Sequence, residues 1–451
     1  DRGRTCAVVD PAGRRSEYHY DDSGNLLQVL RPDGTQLATE FNVANKPIRI
    51  VDPNGAAWQQ DWNTRGQLIS QTTPLGHVSR YEYDALGQLV THLNPRGART
   101  ALSYDSHGHL TRVENALGHT THYAFDTLGQ LSGHADPAGQ RTHYQYDPKG
   151  RLTAVQLPSG ARIQCAYDAE DNLTAYQDEN GAVTRLEYFG QGELARRIQP
   201  DGHRVDYLYD TEERLVGVRN QRGELYQLKR DALGRVVEEI DYWGQRNRYA
   251  YGPSGHLKAT LDPLGQRIDY LTDPLGRIVR KVLPQPGQAE GSPAWVETFD
   301  YDAAGNLVAT GNAHVQVERV FDAVGQLLQE TQQHATGDCF AIDNAYDAAG
   351  NRVQRQTRFA GSGPQPASAA HRVDFAYDLL DQCIETRLDG AAPIRHHRDA
   401  LGRLSQEAIT PTLVRDFRYN ADGLLTRQHT HTGEHTLFAT DYHYDPAGNL
   451  T

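Results

Sequence analysis

The sequence predicts an all-β fold: a long antiparallel ribbon of β-hairpin repeats that must coil into a hollow wall. Three observations predict it. An aromatic residue returns every 21 residues, two glycine turns recur in phase with it, and the stretches between turns alternate polar and apolar residues.

The aromatic position falls at 20, 41, 62, 83, 104, 125, 146, 167, 188, 209, 230, 251 and 272, and only Arg230 and Thr272 depart from Tyr, Phe or Trp. Asp or Asn follows in eleven of these thirteen units. A glycine stands three residues further on, replaced only by Asn45, Asp171 and Glu213. A second glycine recurs at the same spacing from 13 to 265 and is present all thirteen times. Self-similarity at a fixed period marks a repeat array, so 451 residues need not mean several domains. The first turn is carried by Tyr20, Asp21 and Gly24; Tyr83, Asp84 and Gly87; Tyr104, Asp105 and Gly108; and Tyr146, Asp147 and Gly150. Tyr301, Asp302 and Gly305, and Tyr444, Asp445 and Gly448, repeat it late in the chain. Gly34, Gly97 and Gly265 belong to the second turn.

Both turns have type I chemistry. Asp or Asn often opens them, Pro is tolerated next, and Gly stands fourth, as in Asp84-Ala85-Leu86-Gly87 and Asn94-Pro95-Arg96-Gly97. The opening side chain can bond the backbone two residues on, and glycine supplies the positive φ of a bulge. The abundance of Asp therefore follows from turn chemistry and asks for no catalysis. Between turns the period is two: Thr142, Tyr144 and Tyr146 share a face, and His143 and Gln145 the other. Tyr81, Tyr123, Tyr144, Tyr207, Tyr249 and Tyr270 hold one place in the unit and are predicted to align on one face beside Thr and Val.

Residues 1–282 form the regular array. From 283 to 451 the repeats continue with longer loops, at 284–295 and 360–371, rich in Gly, Pro, Ala and Ser. The whole reads as one continuous shell, cut from a longer chain: it has no Met and begins mid-pattern. Some 40 strands at about 4.8 Å give a ribbon on the order of 190 Å long and roughly 23 Å wide. Open sheets rarely exceed about ten strands without curling, so this one must coil. Propeller blades would impose a doubled period, and stacked solenoids favour parallel ladders; neither fits.

Composition narrows the function. A net charge of −13 argues against a nucleic-acid partner. No apolar run is long enough for a membrane span. Cys6, Cys165, Cys339 and Cys383 lie far apart without metal or redox spacing and read as small buried thiols.

The units "YDALGQL", "YDPKGRL", "YDAAGNL" and "YDPAGNL" resemble the YD repeats of the Rhs family, shared by Tc toxin C components, bacterial wall-associated proteins and teneurins. The resemblance covers essentially the whole chain. It implies a spiral β-sheet cocoon around a C-terminal toxin of the same polypeptide, made in the bacterial cytoplasm and exported by type VI secretion or a Tc complex with delivery proteins. In bacterial members an aspartyl autoprotease closes the core. Asp262-Pro263-Leu264-Gly265 and Asp273-Pro274-Leu275-Gly276 resemble its signature, but both sit in phase with the repeat and read as turns.

No catalytic, cofactor or metal residue is expected, and the region reads as non-enzymatic. His396-His397 and the group His429, His431, His435 could suggest a metal, but no acidic or Cys partner stands at ligand spacing, and they read as solvated strand residues. The leading reading is an encapsulating shell. A cell-surface adhesion or carbohydrate-binding array, with aromatic rows stacking sugars, is the alternative.

Overall fold

A computed structural model describes residues 3–283, 295–361 and 370–451; most of the two expected loop insertions, 284–295 and 360–371, lies outside them. The described residues contain 40 strands in one sheet and no helix. Neighbours along the chain pair antiparallel, as Val78–Tyr83 does with Leu68–Thr72 on one side and Leu89–Leu93 on the other.

The period of 21 has a simple anatomy. A strand of six residues, Val78–Tyr83, is followed by the turn 84–88, a strand of five, Leu89–Leu93, and the turn 94–98. Each turn takes five residues, so the two strands and two turns add up to the repeat. Asp84 N–H donates to the Gln88 carbonyl at 2.9 Å and Gly87 N–H to the Asp84 carbonyl at 3.1 Å. The Asp84 carboxylate also accepts from the backbone of Leu86 and Gln88. This is a type I turn closed by a glycine bulge. Register slips by one just before it, Glu82 facing Thr91 but Tyr83 facing Leu89. The second hairpin, Thr72 facing Val78, runs without a slip.

Where glycine is missing, the backbone keeps the same conformation. Asn45, Asp171 and Glu213 have φ of 57°, 72° and 59°, against 91° at Gly87 and 85° at Gly150. The hairpin demands the left-handed region whatever residue stands there.

The repeat's Tyr is a strut. The Tyr83 hydroxyl donates to the Leu68 carbonyl at 3.0 Å, Tyr146 to Leu131 at 3.0 Å, Tyr167 to Leu152 at 2.9 Å and Tyr419 to Leu404 at 2.8 Å. Trp62 uses its indole N–H on Pro47 in the same way. Arg230, which breaks the aromatic pattern, donates its guanidinium to the Leu215 carbonyl, and Arg398 does so to Cys383. Tyr, Trp and Arg at this position thus share one role, a long side chain whose terminal donor reaches a neighbouring strand's carbonyl.

Burial follows from a single layer. Among the described residues the buried apolar side chains are Ala98, Ala154 and Ala259 alone, and no large side chain is fully buried. The cysteines are thus not buried: Cys6 is exposed and the other three are half-buried. The aligned tyrosines meet the expected Thr and Val neighbours only in part, Tyr270 lying 3.3 Å from the Thr260 hydroxyl. Tyr144 and Tyr207 face Val155 and Val218, but Tyr81, Tyr123 and Tyr270 face His92, His134 and Lys281.

Contacts divide the chain into two units. One comprises Asp1–Arg99, Tyr249–Asp381 and Thr386–Ala391, the other Thr100–Arg248, Gln382–Glu385 and Ala392–Thr451.

Candidate functional site

A strand edge is spoken for by its neighbours, so in a one-layer ribbon the turns are what remain to make further contacts. Within the first unit, turns of the early repeats touch turns of the late ones. Asn54, third residue of the turn Asp52-Pro53-Asn54-Gly55, donates its side-chain N–H to the Asp302 carboxylate at 2.9 Å. Its side-chain oxygen accepts from the Ala304 backbone N–H at 3.1 Å. Arg14 reaches the Asp273 carbonyl at 3.2 Å, and Arg31 the Ala303 carbonyl. Arg96 enters a pocket of acceptors: the carbonyls of Asp378 and Tyr377 at 2.7 and 3.0 Å, the Asp381 carboxylate at 2.8 Å and that of Asp347 at 3.4 Å.

Within the second unit the clasp recurs. Asn180, third residue of the turn Asp178-Glu179-Asn180-Gly181, donates to the Asp445 carboxylate at 2.9 Å and accepts from the Ala447 N–H at 3.3 Å. Ser159 N–H donates to Asp422 at 2.9 Å. The partners lie 248 to 285 residues apart in the first unit and 263 to 267 in the second. In both units a second-type turn of an early repeat meets a first-type turn of a late one.

These seams are electrostatically tuned. At Asp302 burial raises the carboxyl pKa, but hydrogen bonds from Asn306, Asn54 and the turn backbone outweigh it and hold it below its ordinary value. Asp445 is lowered by Asn449, with Asn180 contributing. Along the turn rows, an Arg after the glycine joins its own turn to the next unit. Arg151 donates to Asp147 at 2.7 Å and to the Asp168 carbonyl at 2.8 Å, while lying 4.8 Å over the Tyr167 ring. Arg403 repeats this on Asp399 and Tyr419.

One charge is buried in the wall. Glu238 occupies the place in the unit held elsewhere by Thr91, Ala154 and Ala259 and is 9% exposed. Lys229 at 2.6 Å, Arg248 at 2.8 Å and Arg246 at 3.2 Å surround it. Hydrogen bonds from Lys229 and Arg248 lower its pKa to about 2. A buried carboxylate requires such partners.

The Asp-Pro-Leu-Gly stretches are turns. Asp262 accepts from the backbone of Leu264 and Gln266, and Asp273 from Leu275 and Arg277. The histidines need a correction. The hairpin brings Asp416 opposite His429, and its carboxylate lies 3.0 Å from His431 Nε2, so an acidic partner exists that linear spacing does not reveal. Asp105, His107 and His109 also come together, inside a single turn.

The teneurin YD-shell family model matches residues 80–218, and the RHS repeat model residues 1–36. Over 144 residues the chain is 31% identical to the toxin protein Tse5 of Pseudomonas aeruginosa, which covers 32% of this chain and 10% of that protein. The TcdB2–TccC3 crystal structure matches with a TM-score of 0.67 at 14% identity, over 98% of this chain and 27% of that one. The Photorhabdus luminescens Tc holotoxin pore matches with a TM-score of 0.67 at 14% identity, over 96% of this chain and 28% of that one. The fold is thus shared with those chains, and this chain spans a tenth to about a quarter of the length of the proteins it matches.

Proposed function

We propose that this chain, a member of the Rhs and YD-repeat family, is a wall segment of a bacterial toxin shell that encloses and shields a C-terminal toxin of the same parent polypeptide until delivery. The observation that carries the reading is the pair of asparagine clasps. A ribbon that meets itself after some 250 residues, at two places and with the same chemistry, is suited to closing a wall. Its single layer leaves both faces available, one to solvent and one to a passenger.

In this reading the array of residues 1–282 and its looser continuation 283–451 form one continuous shell. The repeated Tyr, Asp and Gly positions are its framework, and any autoprotease or toxin activity resides elsewhere in the parent. Export as a secreted or injected effector, by type VI secretion or within a Tc complex, is part of this reading; the relatives include a toxin protein and a Tc holotoxin pore. No helix long and apolar enough to cross a membrane is present among the described residues.

The adhesion reading rests on the aromatic rows and on a cleft of about 350 Å³ lined by residues including His122, Arg141 and His143. Against it, Tyr81 stacks on His92 at 5.0 Å, and His134 on Tyr144 at 6.0 Å, so these rings pack on side chains of neighbouring strands. Electron cryomicroscopy of the full-length parent tests the proposal. Density for the C-terminal segment bounded by this wall is expected; a segment lying outside it would overturn the reading.

A further inference from the structure

We propose that Asp416, His429 and His431 form a binding site for a divalent transition metal of the zinc class. The three residues offer ligand atoms that lie within 4.8 Å of one another. They sit on adjacent strands of one long hairpin, Leu413–Tyr419 and Leu425–Thr432, with Asp416 directly opposite His429.

Hydrogen-bond bookkeeping carries the argument. His431 Nδ1 lies 2.7 Å from the Gly433 carbonyl. A carbonyl only accepts, so Nδ1 holds the proton and donates. In the neutral ring Nε2 then presents a lone pair, and it faces the Asp416 carboxylate at 3.0 Å. Two acceptors at that distance need a positive species between them, either a proton or a metal ion. The surroundings favour the metal. His429 stacks on His431 at 4.9 Å between centroids and places a second imidazole at the same point, which a single shared proton would not use. Each ligand is also held from behind: Gln406 donates to the other Asp416 oxygen at 2.8 Å, His429 Nε2 lies 2.9 Å from the Thr436 hydroxyl, and Gly433 orients His431. Such outer partners fix the tautomer and aim of metal-bound imidazoles.

Two imidazoles and one carboxylate suit zinc, with metal–ligand distances of about 2.0–2.2 Å. In a tetrahedral site this puts ligand atoms about 3.4 Å apart, so the Asp416–His431 pair opens slightly from 3.0 Å and any pair near the 4.8 Å limit closes on binding. Three protein ligands leave the fourth position to water. The ion would pin the hairpin formed by these two strands, and because a proton competes for the same imidazoles, acid would release it.

The test uses the 451-residue chain stripped with a chelator and titrated with Zn²⁺ by calorimetry, with Co²⁺ as the absorbing probe. One ion per chain is expected, with a cobalt spectrum of tetrahedral intensity. Asp416→Asn and His431→Gln should each weaken binding at least about tenfold, and His435→Gln should not. Both variants preserve side-chain size, and a native circular dichroism spectrum establishes that they fold. Absence of stoichiometric binding, with an acid-dependent His431 imidazole resonance, would show a pocket that holds a proton only and overturn the proposal. Binding that survives both variants and falls with His107→Gln would place the ion in the Asp105 turn and overturn it equally.

Discussion

Asn180 holds Asp445 across 265 residues of chain: its side-chain N–H donates to the carboxylate at 2.9 Å, while its oxygen accepts from Ala447 two residues further on. Asn54 grips Asp302 and Ala304 in the same way. An amide suits this place because it donates and accepts at once, and the partner turn offers one acceptor and one donor.

Asn180→Ala and Asn54→Ala should therefore each cost about 0.5–1.5 kcal/mol per lost hydrogen bond. Asn180→Asp should cost more than Asn180→Ala, since it sets a second carboxylate against Asp445. Urea unfolding of the three variants checks this; an aspartate that is tolerated better than alanine would contradict the clasp.

Tyr167→Phe removes the donor to the Leu152 carbonyl and keeps the ring under Arg151. A loss of about 1 kcal/mol is expected. Arg230→Tyr, which restores the usual strut, should be nearly neutral, whereas Arg230→Leu should cost as much as Tyr167→Phe or more. Thermal melts of the three separate a strut from simple packing, under which leucine would suffice.

The turn conformation can be improved as well as damaged. Glu213 holds a φ of 59° where other units carry glycine, so Glu213→Gly should stabilise by about 1 kcal/mol. Gly265→Val places a branched side chain at a φ of 82° and should lower the melting temperature more than Asp269→Asn. Nothing lies within 4 Å of a Cβ built at Gly265, so the penalty there is conformational rather than steric crowding. Equal melting temperatures for the last two variants would refute the turn account.

The period, the turns and the absence of helix are legible in the sequence because they are local: Asp84, Gly87 and their neighbours settle the hairpin within five residues. The clasps were not legible, because their partners are some 250 residues apart and the third turn residue is free as far as local physics is concerned. A signal did exist. Asn stands third in Asp52-Pro53-Asn54-Gly55 and Asp178-Glu179-Asn180-Gly181, and small Ala304 and Ala447 stand third in the turns they grip. The Asp416–His431 contact was hidden for a related reason, since its partner arrives across a hairpin rather than along the strand. Arg230 looked like a lapse in the pattern and proves to replace the tyrosine's hydrogen bond.

Glu238 predicts a pH dependence. Its carboxyl titrates at about 2 in the folded chain against an ordinary 4.5. A lowered folded-state pKa means stability that is present above pH 4.5 and lost as pH falls through the window down to about 2. Glu238→Gln should lower stability at neutral pH, by leaving Lys229, Arg246 and Arg248 without their shared anion, and should flatten the acid limb. Urea midpoints measured between pH 7 and pH 3 read this directly; parallel acid limbs in the two proteins would contradict it.

The central claim, that the wall shields a passenger, is tested most directly by limited proteolysis of the full-length parent, alone and with Asn54→Asp and Asn180→Asp combined. The native parent should keep its C-terminal segment intact while exposed loops are nicked, and the clasp variant should release it to cleavage at a lower urea concentration. A C-terminal segment cut freely in the native parent, at the same rate with and without the clasps, would contradict the account.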